Sequence, residues 1–281
     1  MRRILIIAIL VFVFLVGLSV LLYPMVSDYY NSLRQIRAVE QYYREVTRLS
    51  ELDYTTLLED AHHYNEKLRL KASRFVMTAE ELAEYRSLLD PGGQGAIGTL
   101  EIESIDINLP IYHGTDESVL QVALGHLEGS SLPVGGSGTH TVITGHRGLP
   151  SSTLLTNLDR LSIGDTFNLY VLGDTLTYMV DQTVTVLPHE TEALAIESNA
   201  DYCTLVTCTP YGINTHRLLV RGHRVETVDT GAYTREARIS SGGYILTGAR
   251  SALLLIIPSS LAVITSLFVK LRRVYKRGNK Q

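Results

Sequence analysis

Uncharged apolar residues are concentrated in two long runs, one near each end of the chain. Ile4–Tyr23 is twenty residues long, which matches the length of a helix that crosses a bilayer. A cleaved signal peptide is the alternative, but the run is long for one and no small-x-small cleavage site follows it. Ser251–Val269 is a second run, of nineteen residues, for which a buried core helix is the alternative. Because a dense basic segment follows this second run, we predict transmembrane helices at both 1–26 and 244–269.

Positive charge gives these two helices an orientation. Arg2 and Arg3 precede the first run, and six lysines and arginines occupy the tail at 270–281 after the second. Basic residues favour the cytoplasmic side of a membrane, so both termini are expected in the cytoplasm. The segment between the helices is therefore expected outside the cell, and the predicted location of the protein is the cell membrane.

The pattern between residues 27 and 89 is that of helices. Apolar residues such as Ile36 and Val39 recur at steps of three and four along this segment. Thr78, followed three residues later by Glu81, has the spacing of a capping box, which predicts the start of a further helix. We interpret 27–89 as an extracytoplasmic helical segment that packs against the rest of the protein.

Beyond a glycine-rich stretch the apolar positions change to a period of two. Leu100–Ile107 alternates between apolar and polar residues, which is typical of a half-buried strand. Leu176–Val180 and Thr183–Leu187 are predicted as two separate short strands, divided by a polar pair. Many short strands at close spacing favour a β-barrel or a sandwich over a parallel α/β sheet, so 99–225 is predicted to be a mainly β domain. A polar linker at 226–243 joins it to the second apolar run.

Charge and cysteine content narrow the functional classes. The net charge of −4 at pH 7 and the lack of a basic, aromatic-rich stripe argue against a nucleic-acid partner. The chain has two cysteines, Cys203 and Cys208, which lie five positions apart in a strand-like run. Extended residues this far apart are separated by roughly 16 Å and point to opposite faces, so the two thiols are not expected to form a disulfide. Cys203 is interpreted as a small buried hydrophobic residue, whereas a free thiol outside a cell calls for a function.

Three reactive side chains each stand at the edge of a predicted strand. Cys208 ends one strand, His146 follows another within Thr-Gly-His-Arg-Gly, and Arg217 begins a third. A thiolate nucleophile, an imidazole that moves protons and a guanidinium that binds an oxyanion are the groups needed for acyl transfer through a thioester. Arg221 lies on the same strand face as Arg217, and the spacing alone does not choose between them.

The chain contains nine histidines, which raises the alternative of a metal site. No HxxxH or CxxC spacing is present, and one thiol with scattered histidines is a poor zinc signature. His113 and His126, which lie near predicted turns, are interpreted as structural hydrogen-bonding residues. No metal ion and no cofactor are expected.

The residues around these positions carry a resemblance to a known family. TLVTCTPYGINTHRLLVRGHR (Thr204–Arg224), together with TGHRGLP, LPIYHGT and GHLEGSSLPVGG, is similar to the class C, pilin-specific sortases of Gram-positive bacteria. In this resemblance the nucleophile of the family falls on Cys208, its histidine on His146 and its arginine on Arg217 rather than Arg221. The resemblance implies a closed eight-stranded β-barrel, with N-terminal helices and two flanking transmembrane helices.

The same resemblance implies a function. Sortases of this class cleave an LPXTG-like sorting signal between threonine and glycine, hold the acyl group as a thioester, and transfer it to an amine, commonly a pilin lysine. The expected partners are therefore LPXTG-type surface proteins or pilins, and the membrane. Three alternatives stay open: a sortase that anchors surface proteins to the cell wall, another extracellular thiol enzyme that acts on peptidoglycan, and a non-catalytic scaffold for the assembly of surface fibres.

One segment departs from the family pattern. Class C sortases often carry a lid with an Asp-Pro-aromatic motif over the active site, in which the acid meets the arginine. Here Asp90 and Pro91 are present, but the third position is Gly92. The loop at 90–98 is therefore either a loose lid, in which Asp90 pairs with Arg217, or a plain linker between helix and barrel.

Overall fold

The computed structural model describes residues 2–227 of the chain. The second predicted transmembrane helix, the basic tail and all but the first two residues of the predicted linker lie outside the described residues.

The N-terminal helix α1 (Arg2–Arg48) is longer than the first apolar run. It continues without interruption through the expected boundary between the membrane anchor and the helical segment at 26/27, and Pro24 lies inside it. Within the described residues this is the one helix that is long and apolar enough to cross a membrane, and its most apolar 18-residue window is entirely unburied. An apolar surface that none of the other described residues covers fits a helix that lies in lipid.

Between residues 49 and 227 the α-helices are α2 (Glu51–Arg69), α3 (Ala79–Ser87) and the short α4 (Glu117–Leu120). The capping box predicted at the start of α3 is confirmed, because Thr78 and Glu81 each accept a hydrogen bond from the backbone N–H of the other. The C-terminal half of α1 packs against the barrel. There the hydroxyl of Tyr42 donates to the Ile97 carbonyl at 3.1 Å and accepts from the Leu172 N–H at 2.9 Å.

The β domain is a closed barrel of eight strands, in the order β1-β2-β3-β4-β7-β8-β6-β5. Two neighbouring pairs, β2–β3 and β4–β7, run parallel, and the other pairs run antiparallel. The strands are β1 (Ala96–Ile102), β2 (Ile107–His113), β3 (Leu124–His126), β4 (Thr139–Thr144), β5 (Thr166–Val171), β6 (Asp174–Val186), β7 (Asp201–Thr209) and β8 (His216–Arg224).

The closed barrel of eight strands that the resemblance implies is confirmed, while two strand predictions were wrong in detail. β6 is one strand of 13 residues rather than two, because the register with β8 shifts between Val180 and Gln182 while the pairing continues on both sides. A β-bulge of this kind accommodates the polar residues Asp181 and Gln182 without ending the strand. Leu100–Ile107 is not a single strand either: a 3₁₀ turn follows Ile102, and Asp106 has a left-handed φ of 56°.

The strands bury apolar residues on both sides of the barrel wall. The main core fills the barrel and includes alternate residues of each strand, such as Cys203 and Leu205 of β7 or Leu218 and Val220 of β8. A second cluster lies on the outer face and centres on Val142, Leu194 and Leu219, with Leu127, Val184, Val186, Ala193 and Val206 packed against them. We call this second cluster the outer apolar patch.

Candidate active site

His146 follows the end of β4, and Cys208 lies near the end of β7, the parallel neighbour of β4. The last paired residues are Thr144 of β4 and Val206 of β7. The pairing continues beyond β4, since the N–H of Gly145 donates to the Val206 carbonyl at 3.1 Å. Continued two residues further along both strands, this register would set His146 opposite Cys208. Parallel strands end at the same edge of a sheet, so the imidazole and the thiol share one rim of the barrel.

Two features fix the backbone just before His146. The hydroxyl of Thr207, which is buried, donates to the Gly145 carbonyl at 2.8 Å and so ties the end of β4 to β7. Gly145 itself has no room for a side chain, because a Cβ there would lie 2.6 Å from Leu124 Cδ2 and 3.0 Å from Leu155 Cγ. The glycine allows close packing, and the hydroxyl sets the spacing between the two strands.

The antiparallel pair β7–β8 brings Arg217 to the same place. Cys208 and Arg217 are direct partners in the register of the two strands. Directly opposite residues of an antiparallel pair have their Cβ atoms about 4.5–5.5 Å apart on one face of the sheet. That face is the outer one, because Cys203 points into the main core and Cys208, five residues later, points the other way.

The structure separates the two candidate arginines. The Arg217 guanidinium donates to the carbonyls of His216 at 3.2 Å and Asn214 at 3.4 Å, in the loop beside Cys208. Arg221 is opposite Thr204, four residues further from the thiol. It forms a bidentate ion pair with Asp181, at 3.0 and 3.1 Å, and stacks on a tyrosine ring. Arg221 therefore has a structural set of partners, and Arg217 is the guanidinium next to the thiol.

The two thiols differ in their surroundings. Both cysteines are free, so no disulfide joins them. Cys203 is fully buried, and burial together with the nearby Asp201 carboxylate raises the pKa of its thiol well above the ordinary value. Cys208 is only partly buried at the rim. Cys203 is therefore unsuited to act as a nucleophile, whereas the thiol of Cys208 can be reached from outside.

Three other histidines belong to the protein interior. Nε2 of His126 donates to the Ser131 carbonyl at 2.8 Å, and burial lowers the pKa of this histidine to about 3. Nδ1 of His140 donates to the Ala195 carbonyl at 2.8 Å, and burial lowers its pKa to about 4. Burial also lowers the pKa of His113 to about 4. All three are buried and neutral near neutral pH, so they are unsuited to exchange protons with a substrate.

The outer apolar patch leads to the rim. Val206 and Leu219 in this patch come two residues before Cys208 and two residues after Arg217, on the same face of their strands. The 3₁₀ turn Glu192–Leu194, in the connection between β6 and β7, covers the other side of the patch. Apolar residues occur on both faces of these strands, and those of the patch are of the same types as those of the inner core. The sequence pattern therefore did not show that the outer residues form a separate patch.

Comparison with known proteins identifies the family. The protein-family model of the sortase domain matches residues 100–225. The crystal structure of sortase C1 from Streptococcus agalactiae is 49% identical, with a TM-score of 0.66, and the match covers 68% of this chain and 99% of that one. This chain belongs to the sortase family.

Other relatives support the same assignment. A Streptococcus pneumoniae sortase C, whose structure was described with regard to catalysis and pilin substrate specificity, is 42% identical with a TM-score of 0.61, over 68% of this chain and 97% of that one. Sortase D of Bacillus subtilis is 29% identical over 146 residues, which are 51% of this chain and 71% of the relative. The protein is therefore a sortase transpeptidase, and its structural neighbours are of class C.

The possible lid loop of this sortase lies against α1. Asp90 accepts the backbone N–H groups of Gln94 at 3.0 Å and Gly95 at 2.7 Å, so its carboxylate closes its own loop. A Cβ on Gly92 would lie 3.2 Å from Glu45 Cγ of α1. Within residues 2–227 the structure does not bring Asp90 and Arg217 together as an ion pair, since their polar partners differ. Pro91 starts the turn that follows Asp90.

Two further features of the sortase lie apart from the reactive rim. A cavity of about 250 Å³ separates α1 from the barrel, with Ile36, Ile105 and Leu154 among its lining residues, and none of the three reactive side chains lines it. Among the described residues, no three His, Cys, Asp or Glu side chains gather as a group that could hold a metal ion.

Proposed function

We propose that Cys208, His146 and Arg217 carry out the transpeptidation of this sortase on an LPXTG-like sorting signal. The main support is the pairing of Cys208 with Arg217 across β7 and β8, with His146 opposite Cys208 in the continued register of β4 and β7. Cys208 attacks the threonine carbonyl of the signal as a thiolate, and the oxyanion that forms accepts hydrogen bonds from the Arg217 guanidinium. Charge-assisted donors of this kind are the strong ones, especially at a site from which bound substrate excludes water.

His146 moves the proton in both halves of the reaction. As the tetrahedral intermediate collapses, the carbon–nitrogen bond of the signal breaks and the imidazolium gives its proton to the leaving glycine amine. The resulting thioester keeps the acyl group reactive, so an amine can displace the thiolate without any further energy source. The same imidazole then takes a proton from the entering amine, as microscopic reversibility requires.

The outer apolar patch provides a surface for the apolar part of the signal. Val206 and Leu219 lie on the strand face that leads to Cys208, and the turn at Glu192–Leu194 forms a wall beside them. An extended peptide laid along this face would bring its apolar residues onto the patch and its threonine carbonyl to the thiol. Apolar contact of this type contributes roughly 25 cal/mol per Å² of buried surface, which favours a signal that begins with apolar residues.

We further propose a pilin lysine as the amine, and hence a role in pilus polymerisation at the cell surface. The class C neighbours support this choice, among them the pneumococcal enzyme described for pilin substrate specificity. The apolar part of α1 supports an anchor in the cell membrane, and the proposed topology has the barrel outside and both termini inside the cell. A reporter enzyme that is active only outside the cytoplasm tests that topology: it should be active when fused after the barrel and inactive when fused to the N-terminus.

The reaction is tested with the full chain in detergent, a peptide that contains LPXTG, and an acceptor peptide with one lysine. Mass spectrometry should show an acyl adduct on Cys208 and then an isopeptide-linked product. Cys208→Ala should form neither species, and the matched variant Cys203→Ala should form both. Cleavage by Cys208→Ala would contradict the proposal. A preference for a peptidoglycan cross-bridge amine over the lysine peptide would instead indicate an enzyme that anchors proteins to the wall.

A further inference from the structure

One ring nitrogen of His146 has no hydrogen-bond partner among the described residues. Its Nε2 atom is shielded from solvent and forms no hydrogen bond in the part of the chain that the structure describes. A carboxylate oxygen, Oε2 of Glu117, lies 3.6 Å from it. A buried polar nitrogen is costly to leave unpaired, so a donor or acceptor for Nε2 is expected where the imidazole has a function.

Glu117 is held in an orientation that suits this partner. It is the first residue of α4, in the connection between β2 and β3, and the side-chain amide of Gln121 donates to its Oε1 atom. The second oxygen, Oε2, is the one that faces His146. The neighbouring Asp116 has a different partner, because it pairs with Arg86 at 3.2 Å.

We propose that Glu117 is a positioning residue for His146, with Oε2 accepting a hydrogen bond from Nε2–H and so fixing the ring orientation and the tautomer. This inference rests on the proposed proton-transfer role of His146. A proton held on Nε2 leaves Nδ1 as the atom that exchanges protons with the two amines. A carboxylate beside a catalytic imidazole acts in the same way in other hydrolytic triads, where it orients the ring and is not itself protonated.

The protons balance on this assignment. The cycle starts with a thiolate and an imidazolium; Nδ1 gives its proton to the leaving amine as the carbon–nitrogen bond breaks and the thioester forms. The neutral ring keeps its proton on Nε2, against Glu117. When the entering amine attacks, Nδ1 takes one of its protons, the carbon–sulfur bond breaks, and the thiolate and imidazolium are restored.

The present separation is longer than a hydrogen bond. N–H···O contacts lie at about 2.7–3.2 Å, whereas Nε2 and Oε2 are 3.6 Å apart and the Glu117 side chain is 69% exposed. Catalytic hydrogen bonds are often long before substrate binds and tighten in the complex. A signal peptide laid over the rim would cover the exposed carboxylate and close the remaining gap.

The test compares Glu117→Gln with Asp116→Asn in the full chain, in detergent, using the LPXTG peptide and the lysine acceptor. Partners that orient metal-ligating histidines are typically worth about 10–100-fold, and we expect kcat of Glu117→Gln to fall by a similar factor while KM stays within about twofold. Asp116→Asn removes a carboxylate from the same turn and should leave both constants within about twofold. An unchanged kcat in Glu117→Gln, or a change in KM alone, would overturn the inference.

A spectroscopic readout separates positioning from a general structural effect. The ring ¹⁵N shifts of His146, assigned by comparison with His146→Gln, should report a proton on Nε2 at alkaline pH in the parent protein and a mixture of tautomers in Glu117→Gln. Equal tautomer populations in the two proteins would overturn the inference. If His146→Gln itself stays active, the proposed role of His146 fails; if it is inactive while Glu117→Gln matches the parent, only the role of Glu117 fails.

Discussion

Replacing Thr207 by valine tests how far the reactive rim depends on one hydrogen bond between β4 and β7. The Thr207 hydroxyl donates to the Gly145 carbonyl at 2.8 Å, one residue before both Cys208 and His146. Valine has nearly the same shape but no donor. Both residues are buried, so the carbonyl would be left without this partner where water does not reach.

An unsatisfied buried acceptor costs about 1–3 kcal/mol. For a domain of this size that loss corresponds to a fall in Tm of roughly 2–4 °C per kcal/mol, or several degrees in all. The catalytic effect is expected to be larger, because the lost bond sets the distance between the strands that carry the thiol and the imidazole. A misplacement of about 1 Å at reacting groups can reduce the rate by 100-fold, so we expect kcat to fall by about 10–100-fold.

The matched variant is Thr207→Ser, which keeps the hydroxyl and loses only a methyl group. It should be destabilised by about 1 kcal/mol and should keep kcat within about twofold of the parent. Thermal unfolding of the full chain in detergent and the LPXTG peptide assay give the two quantities. If Thr207→Val matches the parent in both, or if Thr207→Ser loses as much activity as Thr207→Val, the hydrogen bond does not set the rim geometry and the reasoning is refuted.

Three further predictions concern the thiols, the arginines and the buried histidines. Iodoacetamide should label Cys208 and leave Cys203 unmodified in the folded protein, as read by mass spectrometry, because burial raises the pKa of Cys203; similar labelling of both would contradict this. Arg217→Lys should lower kcat by about 100–1,000-fold, whereas Arg221→Lys, which loses the bidentate geometry of a structural ion pair, should mainly lower Tm. The pKa of His126 is lowered to about 3 in the folded state, so the unfolded chain binds more protons below the ordinary value of about 6.5. The free energy of unfolding should therefore fall as the pH drops from about 6.5 towards 4, by up to ~1.4 kcal/mol per unit for this group, and less steeply in His126→Gln; a flat urea-unfolding profile would argue against it.

Local signals in the sequence predicted some features well. The capping box at Thr78 and Glu81 is formed as expected, because it depends only on residues three positions apart. The opposite facing of Cys203 and Cys208 followed from the period of a strand and is present. Features of this type need no knowledge of how distant segments pack.

Features that depend on the pairing of distant segments could not be predicted from local sequence patterns. Arg217 and Arg221 lie on one face of β8, and only the register with β7 shows which of them is opposite Cys208. The bulge that keeps β6 continuous likewise depends on its pairing with β8. Glu117 carries no local signal, because its proximity to His146 arises from the packing of the connection between β2 and β3 against the end of β4.

The two parallel strand pairs explain why the reactive groups meet at one rim. Parallel neighbours cannot be joined by a tight turn, so each pair requires a crossover connection that leaves the sheet and returns. The connection between β2 and β3 carries Glu117. The chain passes from β4 to β7 through β5 and β6, and the last part of this path, between β6 and β7, carries the turn at Glu192–Leu194 that covers the outer apolar patch. β4 and β7 run in the same direction, so their C-terminal ends lie at the same edge of the barrel. The hairpin from β7 to β8 then places Arg217 opposite Cys208 at that edge. The topology that closes the barrel thus also supplies the walls of the site, which is why reactive residues far apart in the sequence depend on the register of β4, β7 and β8.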